Sequence, residues 1–231
     1  DSTSTKRDNI NFEKSLSKDF GSLNIGVIKN IEKLGISEDV INAYETSKTV
    51  LTGLGHKLIE VDFSELSSGI CSYYVIAPAE CSSNLSRFDG IKYGYRSEGE
   101  KDIANLYMNT RSDGFGDEVK KRILIGTHVL SAGFYDAYYL QAQKVRRMIK
   151  VKFENFFKDV DLIFMPTTLD QAFEKNRKSD DPNRMYKEDL LTIPANLAGL
   201  PAISFPNGFK NNLPIGGQLI GNYFGEDMLL N

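Results

Sequence analysis

Apolar and polar positions alternate along Leu23-Asn24-Ile25-Gly26-Val27-Ile28, and this pattern predicts a strand. Ser37 follows as a helix N-cap, with the acids Glu38 and Asp39 in the first turn. Val40, Ile41, Tyr44, Leu51 and Leu54 then recur at helical spacing until Gly53 and Gly55 end the run. Leu58-Ile59-Glu60-Val61-Asp62-Phe63 reads as a second strand. A strand–helix–strand unit of this kind predicts a parallel pair joined by a right-handed crossover.

The middle of the chain carries the helical period. One helix opens near Gly116, with Asp117 and Glu118 at its positive end. Another runs from about Phe134 to Phe157, with Tyr138, Val145, Ile149, Phe153 and Phe156 on one face. The opposite face carries Lys144, Arg146, Arg147 and Lys150 and reads as a solvated surface. Asp161-Leu162-Ile163-Phe164-Met165-Pro166 is a short apolar run ended by proline, the signature of a buried strand. The charged stretch from Glu174 to Asn183 reads as a loop, and Met185 to Leu200 as a helix interrupted by Pro194. Pro201–Pro206 and Pro214–Gly221 predict two strands around a Gly/Asn turn. Residues 1–20 are polar and linker-like, whereas Gly225–Leu230 reads as the opening turns of a helix, so the chain reads as a fragment. The fold class is therefore α/β, one domain or part of one.

Composition narrows the function. With 231 residues and 41% hydrophobic positions, the chain can build a substantial core. Its net charge of −3 is spread along the sequence without a basic stripe, which argues against a large nucleic-acid surface. No apolar run approaches the ~20 residues of a membrane-spanning helix. Two cysteines, Cys71 and Cys81, are too few for a disulfide scaffold or a zinc site and fit a reducing compartment. His56 and His128 stand in no catalytic motif, and Cys81 has no activating His or Lys in sequence reach. No GxSxG, HExxH, P-loop or GxGxxG motif occurs.

Four segments are more particular. Ala77-Pro78-Ala79-Glu80 leads into Ser82-Ser83-Asn84-Leu85-Ser86-Arg87-Phe88-Asp89-Gly90. Gly114-Phe115-Gly116-Asp117-Glu118-Val119-Lys120-Lys121-Arg122 follows. Pro194-Ala195-Asn196-Leu197-Ala198-Gly199-Leu200-Pro201 precedes Pro214-Ile215-Gly216-Gly217-Gln218-Leu219-Ile220-Gly221. From about residue 20 to the end, the chain resembles the amidase signature family. Within it, the chain resembles the glutamine-hydrolysing A subunits of the glutamyl-tRNA(Gln)/aspartyl-tRNA(Asn) amidotransferases. The last two segments mark the wider family, and the first two the amidotransferase branch.

The resemblance implies part of the amidase signature fold, a mixed β-sheet flanked by helices, with residues 1–231 forming the C-terminal portion of one amidase domain. The family's Ser–cis-Ser–Lys triad lies in a Gly/Ser-rich signature that precedes this region, and nothing here matches it; the one Gly-Gly is Gly216-Gly217. No catalytic residue is therefore assigned, and the fragment alone is expected to be inactive. A glutamine site needs a fixed cation for the α-carboxylate and a fixed anion for the α-ammonium. The resemblance gives the first role to Arg122 and the second to Asp189, with Tyr73 lining the pocket. Without it, Arg122 reads as solvent-facing, Asp189 as an ordinary acid beside Glu188, and Tyr73 as core.

The implied partners are amidotransferase subunits B and C, with misacylated tRNA handled by the partner that uses ATP and magnesium; this chain itself needs no cofactor. A bacterial cytoplasm or an organelle matrix is the implied location. Two alternatives stay open: another amidase-signature hydrolase, or a non-catalytic module that binds a partner or glutamine. A Gly/Ser-rich segment encoded just upstream of Asp1 would favour the enzyme. An exposed sheet edge and uncovered apolar faces are also expected if a catalytic half is missing.

Overall fold

In the computed structural model of the chain, residues 4–7, 11–99, 101–173 and 187–231 are described. In chain order the elements are α1 (Phe12–Ser15), β1 (Asn24–Ile28), α2 (Glu38–Gly53), β2 (Lys57–Val61), α3 (Gly69–Leu85), α4 (Ile103–Gly114), α5 (Asp117–Val129), α6 (Leu140–Phe156), β3 (Leu162–Pro166), α7 (Ile193–Ala198), β4 (Ala202–Lys210), β5 (Leu213–Gly221) and α8 (Glu226–Leu230). They divide into two compact units. A sheet unit comprises Asp1–Ser67 and Ile149–Asn231, and a helical unit comprises Ser68–Met148.

The sheet has five strands in the order β2-β1-β3-β5-β4. β1 runs parallel to both β2 and β3, whereas β5 is antiparallel to β3 and β4. The sheet is thus mixed, as the family resemblance implies. All five residues of β3 are buried, which explains its continuous apolar sequence. The hairpin between β4 and β5 turns on Asn211 and Asn212, both at positive φ (52° and 62°). Asparagine tolerates that region better than most residues, so the Asn pair specifies the turn.

Helix α2 is fixed to the sheet through Tyr44, which is fully buried. The Ile28 backbone N–H donates to its hydroxyl at 2.8 Å, and the hydroxyl donates to the Phe164 carbonyl at 3.4 Å. Its ring stacks on Phe164 with centroids 5.1 Å apart. Burial pushes the phenol pKa far above its ordinary range, so the hydroxyl keeps its proton.

Several sequence expectations shift. Val40 and Tyr44 are buried as the period predicts, but Leu54, the C-cap residue just beyond α2, is exposed. Ser37 stands at the N-cap without a side-chain capping bond. The polar start contains the short helix α1, where Asn11 accepts from the Lys14 backbone N–H at 3.2 Å. Residues 188–192 form turns, so Pro194 does not interrupt a helix there. It sits in the first turn of α7, where a missing N–H costs nothing. The predicted loop at Glu174–Asn183, and residues 185 and 186 of the predicted helix, lie outside the described residues. Among the described residues no helix is long and apolar enough to cross a membrane.

In the helical unit, α3 packs along α5, most tightly at Gly126. A Cβ on Gly126 would overlap the Pro78 carbonyl and come within 2.7 Å of the Ser82 Cβ. Next to it, the Ser82 and Thr127 hydroxyls are 3.0 Å apart. The Ser72 hydroxyl donates to the Ala142 carbonyl at 2.7 Å, tying α3 to α6. Arg111 on α4 donates to the carbonyls of Leu85 and Phe88 at 2.9 and 3.0 Å, closing the end of α3. A π-helical turn, Tyr135–Tyr139, leads into α6, and Tyr138 on it is exposed rather than part of a buried face.

Candidate functional site

The packing of α3 on α5 places Tyr73 and Arg122. Gly126 meets Pro78 on α3. One turn back along α5 from Gly126 lies Arg122, and five residues back along α3 from Pro78 lies Tyr73. The Arg122 Nε donates to Glu118 Oε1 at 3.2 Å, one helical turn away. This bond is the largest cause of a raised guanidinium pKa; burial opposes it, and the Tyr73 phenol adds to it. Arg122 is therefore a fixed cation at every accessible pH. Its side chain is 38% exposed, so it is neither a free surface arginine nor a core residue. Tyr73 is half-buried and packs edge-on against Tyr74, with ring centroids 5.1 Å apart.

Asp189 belongs to the sheet unit, in the turn that precedes α7. Its carbonyl accepts from the backbone N–H groups of Thr192 and Ile193 at 3.2 and 3.0 Å, and from the Thr192 hydroxyl at 3.3 Å. Tyr73 and Arg122 thus meet within the helical unit, and the third predicted residue is carried by the sheet unit.

The segment from Pro194 to Pro201 forms α7 and its exit. Asn196 donates its amide to the Thr192 carbonyl at 2.9 Å, and Gly199 closes the helix at φ 74°. In β5, Gly216 and Gly217 lie where side chains from neighbouring segments fill the space. A Cβ would meet Thr167 Oγ1 at 2.9 Å at the first and Asn207 Cβ at 3.0 Å at the second. Gln218 is buried and bonds two backbone carbonyls. These segments build the scaffold.

Both histidines are structural. The Leu23 N–H donates to His56 Nδ1 at 3.2 Å, and the His128 ring packs 4.2 Å from Phe134. Cys71 and Cys81 are free thiols. Among the described residues, no three His, Cys, Asp or Glu side chains are grouped to hold a metal ion.

Sequence reasoning passed over Gly126 and Gln218. The available signals were a glycine inside a helical run and an amide inside an apolar strand, each of which has a packing or bonding reason.

The amidase family profile matches residues 1–230, and the chain belongs to the amidase family. It is 50% identical over all 231 residues to the A subunit of the glutamyl-tRNA(Gln) amidotransferase of Hahella chejuensis, covering 48% of that protein. The protein of the same name from Coxiella burnetii is 48% identical over the same length, again with 48% covered. The chain therefore spans about half the length of the curated relatives it matches. The crystal structure of the A subunit of the Thermotoga maritima glutamyl-tRNA(Gln) amidotransferase superposes with a TM-score of 0.67 at 38% identity, over 90% of this chain and 40% of that one. A 6-aminohexanoate cyclic dimer hydrolase shares the fold at 20% identity, with a TM-score of 0.68, over 95% of this chain and 45% of the hydrolase.

Proposed function

We propose that this chain carries the glutamine-recognition part of the glutaminase subunit of a tRNA-dependent amidotransferase, which supplies ammonia for converting Glu-tRNA(Gln) to Gln-tRNA(Gln). One observation carries the proposal: Arg122 is held by Glu118 as a fixed, half-buried cation beside the Tyr73 phenol, in a chain half identical to proteins of that kind. Glu118 occupies Nε, so a bidentate grip on the α-carboxylate of glutamine uses the two Nη groups. Tyr73 flanks that grip, and Asp189 takes the α-ammonium. A simple amide offers neither charge, which disfavours a general amide hydrolase.

The nucleophile and its base belong to protein outside this chain, so the chain alone does not turn over glutamine. Subunits B and C complete the assembly, and ATP and magnesium act on the partner that activates misacylated tRNA. Such an assembly works in a bacterial cytoplasm or an organelle matrix.

The test is glutaminase activity of the full-length protein with its partner subunits, wild type against Arg122→Ala. Loss of a charged hydrogen-bond partner should cost about 2–4 kcal/mol in kcat/KM for glutamine. Unchanged hydrolysis by a folded variant overturns the assignment of Arg122.

A further inference from the structure

Gln218 is 3% exposed in the middle of β5, opposite Met165 on β3 and Ser204 on β4. Its neighbours in sequence, Leu219 and Ile220, are apolar, and packing alone could be served there by another apolar side chain. The amide instead spends both N–H bonds on backbone. Nε2 donates to the Pro166 carbonyl at 3.1 Å and to the Leu191 carbonyl at 3.0 Å. Pro166 is the last residue of β3. Leu191 is fully buried and stands two residues after Asp189.

The Asp189 turn is held on its other side by its own bonds. The Leu190 N–H donates to the Lys187 carbonyl at 3.0 Å, and Thr192 and Ile193 both donate to the Asp189 carbonyl. The turn therefore behaves as one piece that runs into α7. Gln218 fastens that piece to the end of β3 in a site with little water, where an unmade bond is costly.

We propose that Gln218 is a positioning residue for the ammonium site: its amide fixes the Leu191 carbonyl and thereby the place of the Asp189 carboxylate. This rests on the reading of Asp189 given above. Gln218 touches no substrate; it limits where the anion sits, and a carboxylate displaced by an ångström binds an ammonium much less well.

The test uses the full-length protein with its partner subunits and two substrates. One is glutamine. The other is 4-carbamoylbutanoate, which keeps the carboxylate and the amide but lacks the ammonium. The readout is the ratio of their kcat/KM values. Asp189→Asn should collapse the preference for glutamine. Gln218→Met, close in volume but without donors, should lower the ratio about tenfold, with the analogue's own kcat/KM changed less than about twofold. Gln218→Asn keeps the amide one methylene short and should give an intermediate ratio, readable even if the Met variant does not fold. Equal losses on both substrates in either folded variant, or an unchanged ratio, overturn the role of Gln218. If Asp189→Asn also leaves the ratio unchanged, the ammonium assignment is wrong and this inference falls with it. If only Asp189→Asn lowers it, the assignment stands and the inference alone fails.

Discussion

Around β3, Ile163, Met165, Leu191 and Ile220 have no exposed surface at all, and Phe153 and Phe164 have almost none. The helical unit presents a different picture. There Leu124 is 70% exposed and Met108 62%, while Phe134, Tyr135 and Tyr138 also face outward. Its buried apolar residues are few and small or medium in size: Ile76, Ala79, Leu106, Val129 and Ala142. One unit closes a core. The other packs α3 closely on α5 and ties Arg111 to two carbonyls, but buries few apolar side chains and displays apolar surface that adds nothing to its own folding. Stability and recognition are thus unevenly divided, with Arg122 and Tyr73 on the weakly cored unit.

The largest test of this contrast is a pair of truncations. Phe164→Ala should cost about 3–5 kcal/mol in urea unfolding, through lost burial and the cavity left behind. Leu124→Ala should stay within about 0.5 kcal/mol, as surface changes do. Comparable losses at the two positions would erase the distinction.

A smaller effect is expected at the helix crossing. Gly126→Ala forces a methyl onto the Pro78 carbonyl and should cost about 1–3 kcal/mol. Amide exchange should quicken in α5 while β3 stays protected. Exchange that quickens equally in both would mean the units do not differ in cohesion.

The smallest effect concerns pH. Asp89 accepts from the backbone N–H groups of Ile91 and Lys92 at 2.8 and 3.1 Å, and these bonds hold its carboxyl pKa below the ordinary value. A depressed carboxyl stabilises the loop above its unfolded pKa, and that contribution fades as pH falls through the folded one. Exchange protection at Ile91 and Lys92 should therefore weaken below about pH 4. Asp89→Asn, which keeps an acceptor but does not titrate, should flatten that dependence.

Much of the sheet unit was legible in the sequence, because periods of two and of 3.6 each demand one buried face. β1, β2, β3 and the Asn-turned hairpin follow from that alone, and so does the N-terminal half of α2. Leu54 and Tyr138 misled because an apolar residue at the right spacing does not reveal where the partner surface ends. Pro194 misled in another way, since proline both breaks helices and begins them. At the site, Arg122 and Tyr73 were reachable only through the family resemblance. No local pattern distinguishes an arginine in Lys120-Lys121-Arg122 that meets a tyrosine from one that meets water. Gly126 and Gln218 act through residues far along the chain, Gln218 across 52 and 27 positions, and no periodicity reports such contacts.

The strand order has a consequence for how the chain is made. β1 lies between β2 and β3, and the Asn24 N–H bonds to Asp161 across 137 positions. During synthesis β1 can pair with β2 early, yet its other edge stays empty until the ribosome has passed β3. The helical unit, one uninterrupted stretch, emerges whole in that interval. Closure of so long a loop favours slow assembly of the sheet, and the unfilled edge of an interior strand is a site where nascent chains pair wrongly. The best-packed part of the molecule is therefore the last to be completed.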